Sequence, residues 1–226
     1  MNRKLIITSD GSHTVEATEL ATHYHSIHGA LQESMHVFIR AGLEYFLQKN
    51  RKRNVAVFEM GFGTGLNALM SLQVAIQKQI TVHYTTVELF PLKKEEYSLL
   101  NYSKLLPQSF EEDYLQELHS CGWGKDEIIH PYFIVRKINT SILEMLMNRN
   151  FDVVYYDAFD ASVQPELWQV SLFEKIFKAM NGGGVFVTYS SKGYVRRALQ
   201  DVGFGVEKIP GPPKKREMLR GIKQSC

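Results

Sequence analysis

The chain has 226 residues, 44% hydrophobic and 22% charged, and its 26 basic and 24 acidic side chains leave a net charge of +2. That composition excludes a disordered chain, a collagen-like repeat and a disulfide miniprotein, and no run approaches the roughly 18 apolar residues of a membrane helix. The first residues contain no apolar core of a secretion signal, and Cys121 and Cys226, in no metal-binding or redox spacing, fit a reducing cytoplasm.

Residues 4–17 read as two short strands around Asp10-Gly11, a dipeptide favoured where both central residues of a hairpin turn take positive φ. A polar stretch with His23, Tyr24, His25 and His28 follows. From Ala30 to about Gln48, Leu31, Met35, Phe38, Ile39, Gly42, Leu43 and Phe46 recur at helical spacing. Beyond the basic cluster 49–53, strand and helix alternate. Strands are predicted at 55–58, 82–87, 132–135, 152–156, 184–189, 206–209 and 216–222. Helices are predicted at 66–79, 92–102, 108–120, 142–147, 165–180 and 193–201. Such alternation means an α/β fold with a parallel, doubly wound sheet whose ligands sit at the carboxyl ends of the strands. Only the proline-rich link 210–213 separates the last two strands, which favours an antiparallel pair there. Residues 1–53 are expected to form a hairpin-and-helix extension packed on a main domain of residues 54–226, in one structural unit.

Charge is unevenly spread. Residues 88–127 carry a balance of −5 and residues 192–226 a balance of +6. A basic end with Arg196, Arg197, Lys214 and Lys215 points to a polyanionic partner, against the plainer reading of a solvated surface.

The strongest local feature is Phe58-Glu59-Met60-Gly61-Phe62-Gly63-Thr64-Gly65-Leu66-Asn67. An acid ends a strand, and three glycines alternate before a helix. Glycine lets the backbone turn tightly and a ligand lie against it. The spacing G-x-G-x-G is not the dinucleotide G-x-G-x-x-G, because Leu66 stands where the third glycine belongs. A pyrophosphate wants open helix-terminal N–H groups and no carboxylate nearby. Glu59 instead suits a cationic ligand such as the amino-acid end of S-adenosylmethionine. Glu88 ends the second strand 23 residues after Gly65, where a carboxylate can accept from both ribose hydroxyls of a nucleoside. Asp157 ends the fourth strand and is expected to face the same crevice. There a carboxylate can hold an amine and take up its proton, or simply cap the following loop. The histidines lack a fourth ligand at a diagnostic spacing, so no metal is expected. These residues leave open a methyltransferase for a small-molecule amine and a non-catalytic nucleoside- or RNA-binding module.

Other motifs are more specific: Asp157-Ala158-Phe159, Pro165-Glu166-Leu167-Trp168 and Lys215-Arg216-Glu217-Met218-Leu219, with Tyr24-His25-Ser26 and Gln32-Glu33-Ser34. On these, nearly end to end, the chain resembles the methyltransferase domain of the bifunctional MnmC family of tRNA wobble-uridine enzymes, and its stand-alone MnmD form. The resemblance implies a class I S-adenosylmethionine-dependent methyltransferase, Rossmann-like, with a mostly parallel seven-stranded sheet and an antiparallel last strand. It implies methyl transfer to the amine of 5-aminomethyl-(2-thio)uridine in the tRNA anticodon stem-loop. By resemblance, Asp157 is the catalytic residue. Glu59, Gly61, Gly63, Gly65, Asn67, Glu88 and Ser141 hold the cofactor. Tyr24, His25, Glu33, Phe159, Arg196, Arg197, Lys214 and Lys215 face the substrate or RNA. Ser141 stands where the family usually has an acid for the adenine amino group. The flavin oxidoreductase domain of MnmC is not expected after Cys226, and flavin chemistry with it.

Overall fold

The computed structural model describes residues 2–106 and 113–225. β1 (Arg3–Ile7) and β2 (His13–Ala17) pair antiparallel, and β3 (Thr22–His23) adds a third short strand. Ile7 lies opposite His13, so the connection is a longer loop rather than a two-residue turn. Gly11 takes a positive φ of 82° and Asp10 does not. Asp10 acts through its side chain instead. Its carboxylate accepts from the Thr8 hydroxyl at 2.8 Å, from Ser12 N at 3.1 Å and from Gln32 N at 3.0 Å. The loop is thereby fastened to the helix that follows.

That helix, α1, runs through Ala30–Ser34, a wider π-helical stretch Met35–Glu44, and Tyr45–Lys49. The wide middle buries consecutive residues, Val37-Phe38-Ile39 and Ala41-Gly42-Leu43. Gly42 lets the helix sit directly on the main sheet. A Cβ there would stand 3.0 Å from Val187 and 3.1 Å from Tyr155.

The main sheet contains β4 (Asn54–Met60), β5 (Thr81–Val87), β6 (Asp126–His130), β7 (Phe133–Ile138), β8 (Phe151–Tyr156), β9 (Met180–Thr188), β10 (Phe204–Pro210) and β11 (Glu217–Lys223). Their order is β10-β11-β9-β8-β4-β5-β7-β6. The five central strands are parallel, and β11 lies antiparallel between β9 and β10. The sheet therefore has eight strands rather than the expected seven. The extra one, β6, is an antiparallel edge strand that begins Asp126-Glu127 and is largely exposed, so it shows no buried pattern in the sequence.

The helices are α2 (Leu66–Lys78), α3 (Tyr114–Ser120), α4 (Val170–Lys178) and α5 (Gly193–Asp201). Three expected helices come out differently. Residues 92–102 give only short turns at Lys94–Tyr97 and Tyr102–Leu105, because Asn101 spends its side chain on the first hairpin. It accepts from His13 N and donates to Gly11 O, each at 2.9 Å. Residues 142–147 form a single turn on Ser141 O. The stretch 165–180 splits at Gln169, and Met180 already belongs to β9. Of the helix predicted over 108–120, residues 108–112 lie outside the described residues.

Alternation along β8 builds two cores. Val153 and Tyr155 pack with α1 and α2, including Phe38 and Leu69. Val154 and Tyr156 pack with Trp168, with Phe173 of α4 and with Val195 of α5. At the far edge from the strand carboxyl ends, buried Asp152 ties the strands together. It accepts from Lys52 Nζ at 2.7 Å, Asn181 Nδ2 at 2.7 Å and Ala56 N at 2.9 Å. Asp152→Ala would leave those donors without an acceptor, and we expect a loss of about 3 kcal/mol in a urea unfolding curve. A loss near zero would show that water replaces the carboxylate.

Candidate active site

The glycine segment between β4 and α2 turns by positive φ at Gly61 (88°), Gly63 (52°) and Gly65 (73°). L side chains rarely adopt this conformation. A Cβ on Gly63 would stand 3.0 Å from the Tyr24 ring, and one on Gly65 would stand 3.1 Å from His119 Nε2. His119 was not singled out from the sequence. Burial pushes its imidazole down to about 4, and its Nε2–H donates to Thr64 O at 2.9 Å, fixing the loop from behind. Nothing in the sequence marks it, because it reaches the loop from α3.

The loop forms one wall of an open cleft at this edge of the sheet. Gly61, Gly63, Asn67, Glu88, Ser141 and Asp157 all line it. Glu88 accepts from Gly63 N at 3.0 Å and Phe90 N at 2.8 Å. The Ser141 hydroxyl accepts from Leu143 N at 3.3 Å. Glu59 is 1% exposed and lies beneath the cleft rather than on its wall. Burial, then neighbouring Asp157, pushes its carboxyl well above the usual carboxylate range, against the pull of Thr86, Asn67 and Tyr84. Among the described residues, Glu59 Oε2 and Asn67 Oδ1 are buried with no hydrogen-bond partner.

Asp157 follows β8 directly, and Asn67 Nδ2 donates to its Oδ2 at 2.9 Å. Burial, with a contribution from Glu33, pushes it up to about 8, while Asn67 and Lys215 act in the other direction. It lines both the cleft and an adjoining second cavity of about 810 Å³. Tyr24, His25 and Phe159 also line both. Tyr24 meets Phe159 edge-on at 5.3 Å and accepts from Arg3 Nε at 3.1 Å. His25 is driven down to about 4 by burial and is neutral at pH 7.

Glu33 and Lys215 face each other inside the second cavity, Oε1 to Nζ at 2.9 Å. Lys215 therefore differs from its neighbour Lys214, which lines neither cavity. Arg197 sits on α5 in a separate groove with Lys192 and Tyr194, and Arg196 lies near Glu217. Tyr189, absent from the sequence-based candidates, also lines the second cavity, and its hydroxyl donates to Ala158 O at 2.8 Å. His23 and His28 line that cavity too. Among the described residues, no three His, Cys, Asp or Glu side chains group as metal ligands, and no helix is long and apolar enough to cross a membrane.

The glycine loop after the first parallel strand and the acids at the ends of β5 and β8 all lie on one sheet edge, the layout of the class I methyltransferase fold. Residues 126–224 match the family described as S-adenosyl-L-methionine-dependent methyltransferase. It is 31% identical to a bifunctional protein, tRNA 5-methylaminomethyl-2-thiouridine biosynthesis MnmC, of Pseudoalteromonas atlantica, over 96% of this chain and 34% of that one. The protein of the same name from Idiomarina loihiensis is also 31% identical, over 88% of this chain and 35% of that one. The chain thus spans about a third of the length of these relatives. The crystal structure of MNMC2 from Aquifex aeolicus shares the fold, with a TM-score of 0.79 and 22% identity over 100% of this chain and 72% of that one.

The residues fit the family's cofactor. Its sulfonium and ammonium are cations, and the cleft offers carboxyl groups and an orphaned buried amide oxygen. Gly61, Gly63 and Asn67 would hold the amino-acid end, Glu88 the ribose and Ser141 the adenine side.

Asp157 also has a stability signature. Its folded carboxyl titrates near 8 against an ordinary 3.8, so the folded state binds the extra proton between those values. The native protein then loses stability as pH rises through that window. We expect Asp157→Asn to melt higher than the native protein at pH 8, with the gap closing toward pH 5. A gap that does not vary with pH would refute the burial account.

Proposed function

We propose that the protein methylates the primary amine of 5-aminomethyl-(2-thio)uridine at the tRNA wobble position, giving the 5-methylaminomethyl form. The observation that carries this reading is Asp157, a carboxyl shared by the glycine-loop cleft and a second cavity that already receives an ammonium group. The printed names of the relatives support the choice of substrate. When bound, S-adenosylmethionine supplies an electrophilic methyl group on a sulfonium.

The work of the chain is to make the amine nucleophilic. An alkylammonium has no free electron pair, so it must lose a proton first. Asp157 gives up its own proton to solvent when the cationic substrate arrives beside it, holds the ammonium as a carboxylate, and then takes the amine's proton on a carboxylate oxygen. A carboxyl raised to about 8 accepts it more readily than an ordinary aspartate. Asn67 fixes the carboxylate by its 2.9 Å hydrogen bond. Tyr24 and Phe159, edge to face at the junction of the two cavities, offer apolar surface to the uracil ring. Holding amine and methyl donor in line supplies much of the remaining rate. Exposed Lys214 and Arg197 are left to meet phosphates of the anticodon stem-loop, in the cytoplasm.

Incubation with S-adenosylmethionine and tRNA bearing the unmethylated amine should add one methyl per aminomethyluridine in nucleoside mass spectrometry. Asp157→Asn should turn over at least about 100-fold more slowly in single turnover. S-adenosylmethionine at about 100 times its dissociation constant should stabilise both proteins by roughly 2.7 kcal/mol. Full turnover by a folded Asp157→Asn protein would remove the carboxylate from the chemistry. A raised melting temperature without tRNA methylation would move the reading to a small-molecule amine.

A further inference from the structure

The second cavity contains a cation of its own. Lys215 Nζ lies 2.9 Å from Glu33 Oε1 and 4.1 Å from the centre of the Tyr189 ring. The two partners are held very differently. Glu33 is 7% exposed, on the first turn of α1, and its Oε2 accepts from Ser26 N at 2.7 Å. It is a fixed carboxylate, and removing it from water demands a cation. Lys215 comes from the exposed turn between β10 and β11, its side chain is 38% exposed, and its stem is long and flexible. The anion is built in; the cation can withdraw.

Asp157 faces the same cavity. Among the described residues, the other ionisable groups around this cavity are Glu59 and Tyr84 from below, neutral His25, the Tyr24 and Tyr189 hydroxyls, His23 and His28, and Asp160, which is paired with Lys192. Lys215 is the cation that acts on Asp157. An ammonium on an aromatic face and a carboxylate, beside the proposed proton acceptor, is the chemistry that a primary ammonium ligand requires.

We propose that Lys215 is a placeholder for the substrate ammonium. The incoming amine takes its seat on Glu33 and Asp157, and Lys215 swings out toward solvent. This rests on the reading of the substrate as a primary amine. An ammonium replaces an ammonium without changing the charge of the cavity. An alcohol or amide cannot, so the exchange selects cationic amines over neutral analogues of the same shape.

The test is calorimetric titration of the full chain with benzylammonium chloride and, as neutral analogue, benzyl alcohol. Lys215→Met should bind benzylammonium about tenfold more tightly than the native protein, because the competing internal cation is gone. Benzyl alcohol should bind the two proteins alike. Lys215→Arg, which keeps a cation, should stay near native, and adding Glu33→Gln to Lys215→Met should abolish the gain. If Lys215→Met does not fold, Lys215→Gln is read in the same way. Unchanged or weaker benzylammonium binding in the lysine-free proteins would overturn the placeholder, as a lysine devoted to RNA phosphate predicts. No tRNA is involved, so the outcome is separate from the methylation assay. Methylation without the gain removes only the placeholder, and the gain without methylation keeps the placeholder while removing the tRNA reading.

Discussion

Carboxyl groups held out of water at the carboxyl edge of the sheet are the constraint around which this molecule is arranged. Glu59 is the last residue but one of β4 and Asp157 follows β8, and these strands pair so that Met60 lies opposite Tyr156. The two acids are therefore neighbours by register, and Asp157 raises the cost of ionising Glu59. Asn67 stands by both, donating to Asp157 and lowering Glu59. A site built only for stability would place a fixed cation there or use apolar residues, since buried charge without a partner is costly. The pair instead stays poised for a positive ligand. Asp152, at the opposite edge of the same strand, shows the stabilising arrangement: a buried carboxylate satisfied by a lysine, an asparagine amide and a backbone N–H.

The amino-terminal extension converts that sheet edge into an enclosed site. Without it the cleft would lack Tyr24 and His25, and the second cavity would lack Glu33 as well. Each is positioned by local hydrogen bonding rather than by the main sheet. His25 N and Nδ1 meet the Thr14 hydroxyl at 3.1 and 3.2 Å. Tyr24 is fixed by Arg3, and Arg3 in turn reaches Glu96 at 3.0 Å. Asp10, by accepting from Gln32 N, sets the start of α1 and with it the direction of Glu33. The hairpin thus positions residues that line the two cavities although none of its own strands belongs to the main sheet.

How far the sequence could be read depended on the range of the interactions involved. The glycine loop, Glu88 and Asp157 follow from local rules: a buried strand, a turn and an acid at a strand end. Gly61, Gly63, Glu88 and Asp157 line one cleft, while Gly65 does not. Glu59 follows the same rule, yet it lies beneath the wall, because it sits inside β4 opposite Tyr155 whereas Asp157 lies beyond the end of β8. The helix predicted over 92–102 failed for a non-local reason: Asn101 hydrogen-bonds to a loop some 90 residues earlier. β6 escaped notice because an edge strand needs no hydrophobic alternation. His119, Tyr189 and the partnership of Glu33 with Lys215, 182 residues away, are tertiary facts with no local signature.

Lys214 and Lys215 show most clearly how topology decides chemistry. In sequence they are one basic dipeptide. β9 runs parallel to β8, so Thr188 lies at the site edge, and β11 is antiparallel to β9 with Leu219 opposite Thr188. β11 therefore begins at that edge, and β10, antiparallel to β11 with Pro210 opposite Glu217, ends there. The turn between them must return to the mouth of the second cavity. α1 secures it twice: His36 Nε2 donates to Pro210 O at 2.8 Å, and Glu33 pairs with Lys215. Lys214 takes a positive φ of 69°, which helps the two successive side chains to diverge. A parallel last strand would need a crossover and would start at the opposite edge, far from Asp157. The antiparallel insertion of β11 is what brings a lysine from the basic end of the chain into contact with a glutamate near its beginning, beside the carboxylate proposed to receive the proton.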